Sequence, residues 1–117
     1  MDRRSKFGHW GEEKAAEYLA KIGYKLVAKN YRCPHGEIDL IMTRREQLIF
    51  VEVKARKSLA FGRPAEAVTK QKQEKIKITA LHFLQKHTIS YHKLSFDVME
   101  LYYVENKLVI NHIPHCF

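Results

Sequence analysis

The chain has 117 residues, 45% of them hydrophobic, and its 21 Lys+Arg against 13 Asp+Glu give a formal net charge of +8 and a pI of about 9.6. That size and apolar content predict one domain, residues 1–117, with a real core. The cationic excess favours a polyanionic partner, nucleic acid first, and two cysteines exclude a disulfide framework.

Cys33 and Cys116 lack a Cys-x-x-Cys metal spacing and are expected as free thiols in a reducing compartment. The basic start, Met1-Asp2-Arg3-Arg4-Ser5-Lys6, has no apolar stretch behind it, and there is no run of ~18 apolar residues. A cytoplasmic protein without signal peptide or membrane span is expected.

Ser5 to Ile22 reads as a helix, with Ala15, Ala16, Tyr18, Leu19 and Ile22 at helical spacing and Gly23 as its stop. Glu12 shares the apolar face, three and four residues before Ala15 and Ala16. It is either a functional carboxylate or one that suits the dipole at a frayed helix start. Glu13 and Glu17 fall on the solvated side. Tyr24 to Lys29 predicts a short strand, and Asn30 to Gly36 a turn punctuated by Pro34 and Gly36.

Two strands follow, Gly36–Met42 and Leu48–Lys54, joined by the charged turn Thr43–Gln47. Both are rich in Ile, Val, Leu and Phe. Alternation sets Glu37 and Asp39 on one face of the first, and Glu52 and Lys54 on one face of the second with Leu48 and Phe50. Burying such groups costs several kcal/mol each unless they are paired or hold a metal.

The loop from Leu59 to Pro64 follows, flanked by Arg56, Lys57 and Arg63, cations suited to phosphate contacts. Thr69 is a plausible N-cap for a helix reaching about His87, with Ile76, Ala80, Phe83 and Leu84 as its apolar stripe. Lys72 and Gln73 lie toward the core side of its first turn; Lys70, Gln71 and Lys77 lean outward. Leu94–Tyr103 and Leu108–Ile110 read as strands around a Glu105-Asn106 turn. Asp97 reads as a structural carboxylate, and His112 and His115 as surface residues. Tyr31, Tyr102 and Tyr103 are assigned to packing. Helix, three strands, helix, two strands predicts an α/β sandwich around a mixed sheet.

Asp39 and Glu52 on adjacent strands offer oxygen ligands to a hard cation such as Mg²⁺ or Mn²⁺. Lys54 points the same way, and Glu12 can complete the shell. These are the parts of a metal-dependent phosphodiester hydrolase. The alternative is a salt bridge from Lys54 to either carboxylate that holds two strands in register.

Asp39 followed by Glu52-Val53-Lys54, on consecutive strands after a Glu-bearing helix, resembles the PD-(D/E)XK nuclease signature. More narrowly, the chain resembles the YraN family, which is similar to archaeal Holliday-junction resolvases. The resemblance rests on Gly11-Glu12, Tyr18-Leu19, Gly23-Tyr24, Asn30-Tyr31-Arg32, Gly36-Glu37-Ile38-Asp39-Leu40-Ile41, Phe50-Val51-Glu52-Val53-Lys54-Ala55-Arg56, Lys72-Gln73 and Phe96-Asp97-Val98. It runs from about Gly11 to the C-terminus.

The resemblance implies a restriction-endonuclease-like core, with a mixed sheet of about five strands flanked by helices. It implies a Mg²⁺- or Mn²⁺-dependent endonuclease on DNA, with branched or structured DNA as substrate. Asp39, Glu52 and Glu12 would hold the metal, and Lys54 would be the catalytic lysine. Lys72 and Gln73 would stand near the scissile phosphate, with Arg56, Lys57 and Arg63 on the nucleic acid. Resolvases of similar families are dimers, so a homodimer is implied too. Ile38 stands where the signature has its Pro, and Glu37 is an extra acid without a role. Two other readings remain: a nucleic-acid-binding module that keeps the fold without turnover, and a partner-binding protein with a structural acidic cluster.

Overall fold

In the computed structural model, which describes residues 5–117, Ser5 caps the first helix by accepting the Gly8 N–H on its Oγ at 3.0 Å. The basic stretch 1–4 lies outside the described residues. Helix α1 spans Lys6–Lys21 and gives way at Gly23, whose φ of +96° is left-handed and suits glycine. The chain continues as β1 (Lys25–Cys33), β2 (Gly36–Arg44), β3 (Gln47–Arg56), a 3₁₀ turn (Pro64–Ala67), α2 (Lys70–Lys86), β4 (Lys93–Val104) and β5 (Lys107–Ile113). Thr69 is the N-cap of α2 as predicted, its Oγ1 accepting the Lys72 N–H at 3.2 Å.

The five strands form one sheet in the order β1-β2-β3-β4-β5, antiparallel throughout except for the parallel β3–β4 pair. Alternation along β3 sends Ile49, Val51 and Val53 to one face and Leu48 and Phe50 to the other. The first face packs with Ala15 and Leu19 of α1, the second with Ile76, Ala80 and Phe83 of α2. The result is a single α/β domain with a mixed five-stranded sheet between two helices, consistent with a nuclease-like core. Among the described residues no helix is long and apolar enough to cross a membrane.

Several boundaries differ from expectation. β1 continues to Cys33, and the predicted seven-residue turn shrinks to Pro34-His35. Asn30 passes through φ +52° inside the strand, so a residue with turn character kinks the strand without ending it. Tyr31 is packed, as assigned: its ring meets Phe83 edge-on at 5.1 Å and its hydroxyl lies 2.6 Å from His82 Nδ1. β5 is longer than predicted and ties down the chain's end, where the Cys116 N–H donates to the Phe96 carbonyl at 2.6 Å.

His112 is not a surface residue. It is half-buried and its Nε2 donates to Asp97 Oδ2 at 2.7 Å. Asp97 also accepts from Ser95 Oγ and from the His115 N–H at 3.1 Å, and His115 Nδ1 lies 3.1 Å from Ser95 Oγ. The structural reading of Asp97 matches this web. Burial opposes ionisation of Asp97, yet the hydrogen bonds from His112, Ser95 and the His115 backbone hold its carboxyl below the ordinary 3.8. A depressed folded pKa stabilises the fold above the unfolded value, and that contribution vanishes as pH falls through the folded one. Asp97→Asn should therefore lower stability by about 1–3 kcal/mol at neutral pH. It should also flatten the loss of stability below about pH 4. Urea unfolding at several pH values checks this; parallel curves for the two proteins would refute it.

Gly11 sets the distance between α1 and the sheet. A Cβ there would stand 2.7 Å from the Cβ of Ala55 on β3, inside any tolerable contact. Gly11→Ala should gain about 1 kcal/mol of helix propensity and lose about 1–3 kcal/mol to overpacking. The expected outcome is a lower urea midpoint; an unchanged or raised midpoint would show that α1 yields freely.

Candidate active site

β2 and β3 pair from Arg44↔Gln47 to Leu40↔Val51 and then part. β2 keeps pairing with β1 as far as Cys33↔Gly36, while β3 keeps pairing with β4 to Arg56↔Tyr102. Asp39 stands in the fork, and its Oδ2 accepts the Val53 N–H at 2.7 Å. That backbone donor would otherwise be left without a partner where the ladder ends. The same bond sets the Asp39 carboxyl beside Glu52, close enough for each to influence the other's ionisation.

Glu52 lies on the α2 face of β3, as alternation predicts. Lys72 Nζ, from the first turn of α2, is 3.0 Å from Glu52 Oε2, and Lys54 Nζ is 3.6 Å from the same oxygen. Asp39 and Glu52 are buried and both lysines are half-buried. They line a cleft of about 650 Å³, with Glu12 of α1, Lys75 of α2 and Arg56 at the end of β3 also on its walls.

Burial opposes charge on Glu52. The hydrogen bond from Asp39 and the ammoniums of Lys72 and Lys54 outweigh it and hold the carboxyl below its ordinary value. The two lysines diverge. Burial and the neighbouring Lys72 depress Lys54, while Lys72, despite burial, is raised, chiefly by Glu52. Lys72 is thus the firm cation of the pair and Lys54 the one whose proton is more loosely held.

A hard cation is held by one or two carboxylates and keeps several waters. The donor set fits such an ion at Asp39 and Glu52, two carboxyls in mutual contact that need a proton or a cation between them. Among the described residues no three His, Cys, Asp or Glu side chains are gathered to hold a metal. Glu12 is buried on the cleft wall with its Oε1 accepting from Asn30 Nδ2 at 2.9 Å. The fit is to a carboxylate pair with water completing the shell and Glu12 on the same cleft.

The remaining predicted residues divide. Arg56 and Lys57 are exposed at the end of β3, with Lys57 Nζ 5.8 Å from the centre of the Phe7 ring. Arg63, itself exposed, is committed to a buried acid, its Nη2 donating to Glu100 Oε1 at 2.6 Å. Gln73 donates to the Val68 carbonyl at 3.1 Å, closing the turn before α2, while Gln71, expected to face outward, lines the cleft. Glu37 pairs across the β1–β2 ladder with Arg32 at 3.1 Å.

Sequence reasoning missed three residues. Asn30 reads as a turn residue, yet it holds Glu12. Lys75 lies one turn along α2 from Gln71 and Lys72 and brings another cation to the cleft. Glu100 is fully buried; it accepts from Arg63, from the Ala65 N–H at 2.8 Å and from Asn111 at 3.0 Å. Alternation from Phe96 and Val98 already places Glu100 on the face of Glu52 and Lys54, and that signal was available.

Comparison with known proteins follows the same residues. The model of the Uncharacterised protein family UPF0102 matches residues 11–101, which include every residue of the carboxylate–lysine group. A UPF0102 protein of Caldicellulosiruptor saccharolyticus is 43% identical over 119 aligned positions covering 100% of both chains. One from Syntrophomonas wolfei is 42% identical over 94% of this chain and 96% of its own. One from Clostridioides difficile is 40% identical over 100% of both. The chain belongs to the UPF0102 family, which is the YraN family.

Proposed function

We propose that the protein is a Mg²⁺- or Mn²⁺-dependent endonuclease that hydrolyses phosphodiester bonds in DNA, with branched or structured DNA as its substrate class. The observation that carries this reading is the group Asp39, Glu52, Lys54 and Lys72, drawn together where β2 leaves β3 at the base of an open cleft. Asp39 and Glu52 would hold the cation. When bound, that cation lowers the pKa of a water and offsets charge on the phosphate. Lys54 orients the attacking water toward phosphorus and faces the charge that develops there. The water gives up a proton to bulk water as its oxygen bonds to phosphorus, the bond to the leaving oxygen breaks, and that oxygen takes up a proton from bulk water. Lys72 and Lys75 meet the phosphate from α2, and Arg56 and Lys57 hold the flanking backbone without reading sequence. Glu12, held by Asn30, faces the same cleft and suits a water-mediated contact.

The test is a cleavage assay on labelled duplex, single strand, flap and four-way junction, with Mn²⁺ or EDTA. Cutting should appear with Mn²⁺, vanish with EDTA, and fall by about 10²–10⁴-fold in Lys54→Ala, in line with loss of a positioned proton-handling group. No cutting of any substrate, or cutting that survives both EDTA and Glu52→Gln, would overturn the reading.

A second reading, a binding module without turnover, is favoured by one observation: both lysines already neutralise Glu52. In that case DNA affinity should ignore EDTA and Glu52→Gln. Under either reading log affinity should fall steeply with log salt, and Lys72→Ala should lower the slope by about 1. Salt-independent binding would remove nucleic acid as the partner.

A further inference from the structure

The loop 57–62 leaves β3 directly beyond the cleft and carries the most exposed large apolar side chain among the described residues, Phe61, at 103% relative exposure. Leu59 beside it is also exposed. A bare phenyl ring in water is a standing cost, and this one is carried by the loop that follows Arg56, a residue of the cleft wall.

The root of the loop is fixed where its tip is not covered. At one end Arg56 and Lys57 follow Lys54 by two and three residues, and Lys57 lies over the Phe7 ring on the cleft wall. At the other end Arg63 is bound to Glu100, and Glu100 is the register partner of Lys54 on β4. The Arg63 N–H also donates to Glu66 Oε1 at 2.6 Å. Between these anchors the Ala60 N–H donates to Ser58 Oγ at 3.2 Å, and the Gly62 N–H to the Leu59 carbonyl at 3.0 Å. Gly62 takes φ +95°, a conformation that few side chains would accept. Phe61 is two residues from Arg63, so its Cα lies within about 7 Å of that anchored position.

We propose that Phe61 is a stacking residue for an unpaired base, holding single-stranded or locally opened DNA across the mouth of the cleft. The proposal rests on the nuclease reading and gives it a substrate preference. The flanking cations decide the partner. Arg56 and Lys57 stand at the loop's root and Lys54, Lys72 and Lys75 line the cleft behind it. A ring among cations matches a base between phosphates, the pairing that single-strand-binding surfaces use. A second copy docked through this loop about a two-fold axis would set Arg56 and Lys57 against their own like charges. A fully paired duplex offers the ring no exposed base face, so the loop favours gaps, flaps and junctions.

The test uses the full chain in EDTA, so that nothing is cut, and reads fluorescence anisotropy on a labelled duplex and on the same duplex with a single-stranded gap. Wild type should bind the gapped DNA more tightly. Phe61→Ala should weaken gapped binding by about 5- to 100-fold, the usual effect of removing one stacked base contact, and leave duplex binding almost unchanged. Phe61→Trp should restore it. Because Phe61 is outside the core, both variants should fold, and circular dichroism checks that. If wild type binds gapped DNA and Phe61→Ala binds it equally well, the stacking role is wrong and the nuclease reading stands. If wild type binds neither DNA, the nucleic-acid reading itself fails. If Phe61→Ala instead turns a sedimenting dimer into a monomer with DNA affinity per chain unchanged, the loop joins two copies and the proposal is overturned.

Discussion

Asp39 does two things with one carboxyl, and the site depends on both. The parallel β3–β4 pair and the antiparallel β1–β2 pair pull the sheet apart beyond Leu40↔Val51, which opens the fork. A fork in a sheet leaves backbone donors exposed inside the molecule, each as costly as a lost hydrogen bond. Asp39 Oδ2 satisfies the Val53 N–H and so makes the fork tolerable. Its position there brings a second carboxyl against Glu52. The opening that admits a ligand and the cluster that would act on it thus have one cause.

Four buried carboxylates sit on three neighbouring strands: Asp39, Glu52, Asp97 and Glu100. Each needs partners, because an unpaired buried charge is strongly destabilising. The kind of partner separates them. Asp97 and Glu100 each accept a backbone N–H and hydrogen bonds from fixed side chains, and both are held below their ordinary values. Such webs brace the sheet: Asp97 ties β4 to the chain's end, and Glu100 ties β4 to β5 and to the turn before α2. Glu52 is satisfied differently. Its partners are two ammoniums on long flexible stems at the edge of solvent, which can swing to a phosphate at little cost. A carboxylate satisfied by movable cations is suited to exchanging them for a ligand.

How much of this was legible follows from which rule governed each residue. Period-2 alternation placed Glu52 and Lys54 correctly because β3 stays regular and keeps its ladder with β4 through Arg56. The same rule failed across Asp39: Ile38 packs with the α2 cluster and Leu40 with the α1 cluster, although they are two apart. The fork bends the strand there, and alternation carries no information about a bend. Helical spacing put Lys72 and Gln73 toward the core and Gln71 outward, as observed, but it did not show that Gln73 would be spent on the Val68 carbonyl while the exposed Gln71 lines the open cleft. Asn30 looked like a terminator since its type favours left-handed backbone; the structure uses that conformation mid-strand, and Asn30 reaches Glu12. Glu100 was readable from register and was passed over because no charged residue near it in sequence suggested a partner. Arg63 is 37 residues away.

Arg63 also shows how charge in a basic protein divides its labour. Its guanidinium sits on a fully buried acid and therefore contributes structure at the loop's return, leaving Arg56 and Lys57 to face solvent. One of the three cations expected on phosphate is thus the one that fixes the return of the loop. Net charge alone cannot make this distinction, since it counts Arg63 and Lys57 equally. The burial of the partner carboxylate does make it: a cation opposite a buried acid belongs to the fold, and a cation opposite water or an aromatic ring is available to a ligand. By that criterion Arg56, Lys57 and Lys75 are available to a ligand beside the cleft, while Lys54 and Lys72, opposite the buried Glu52, reach one only by leaving it.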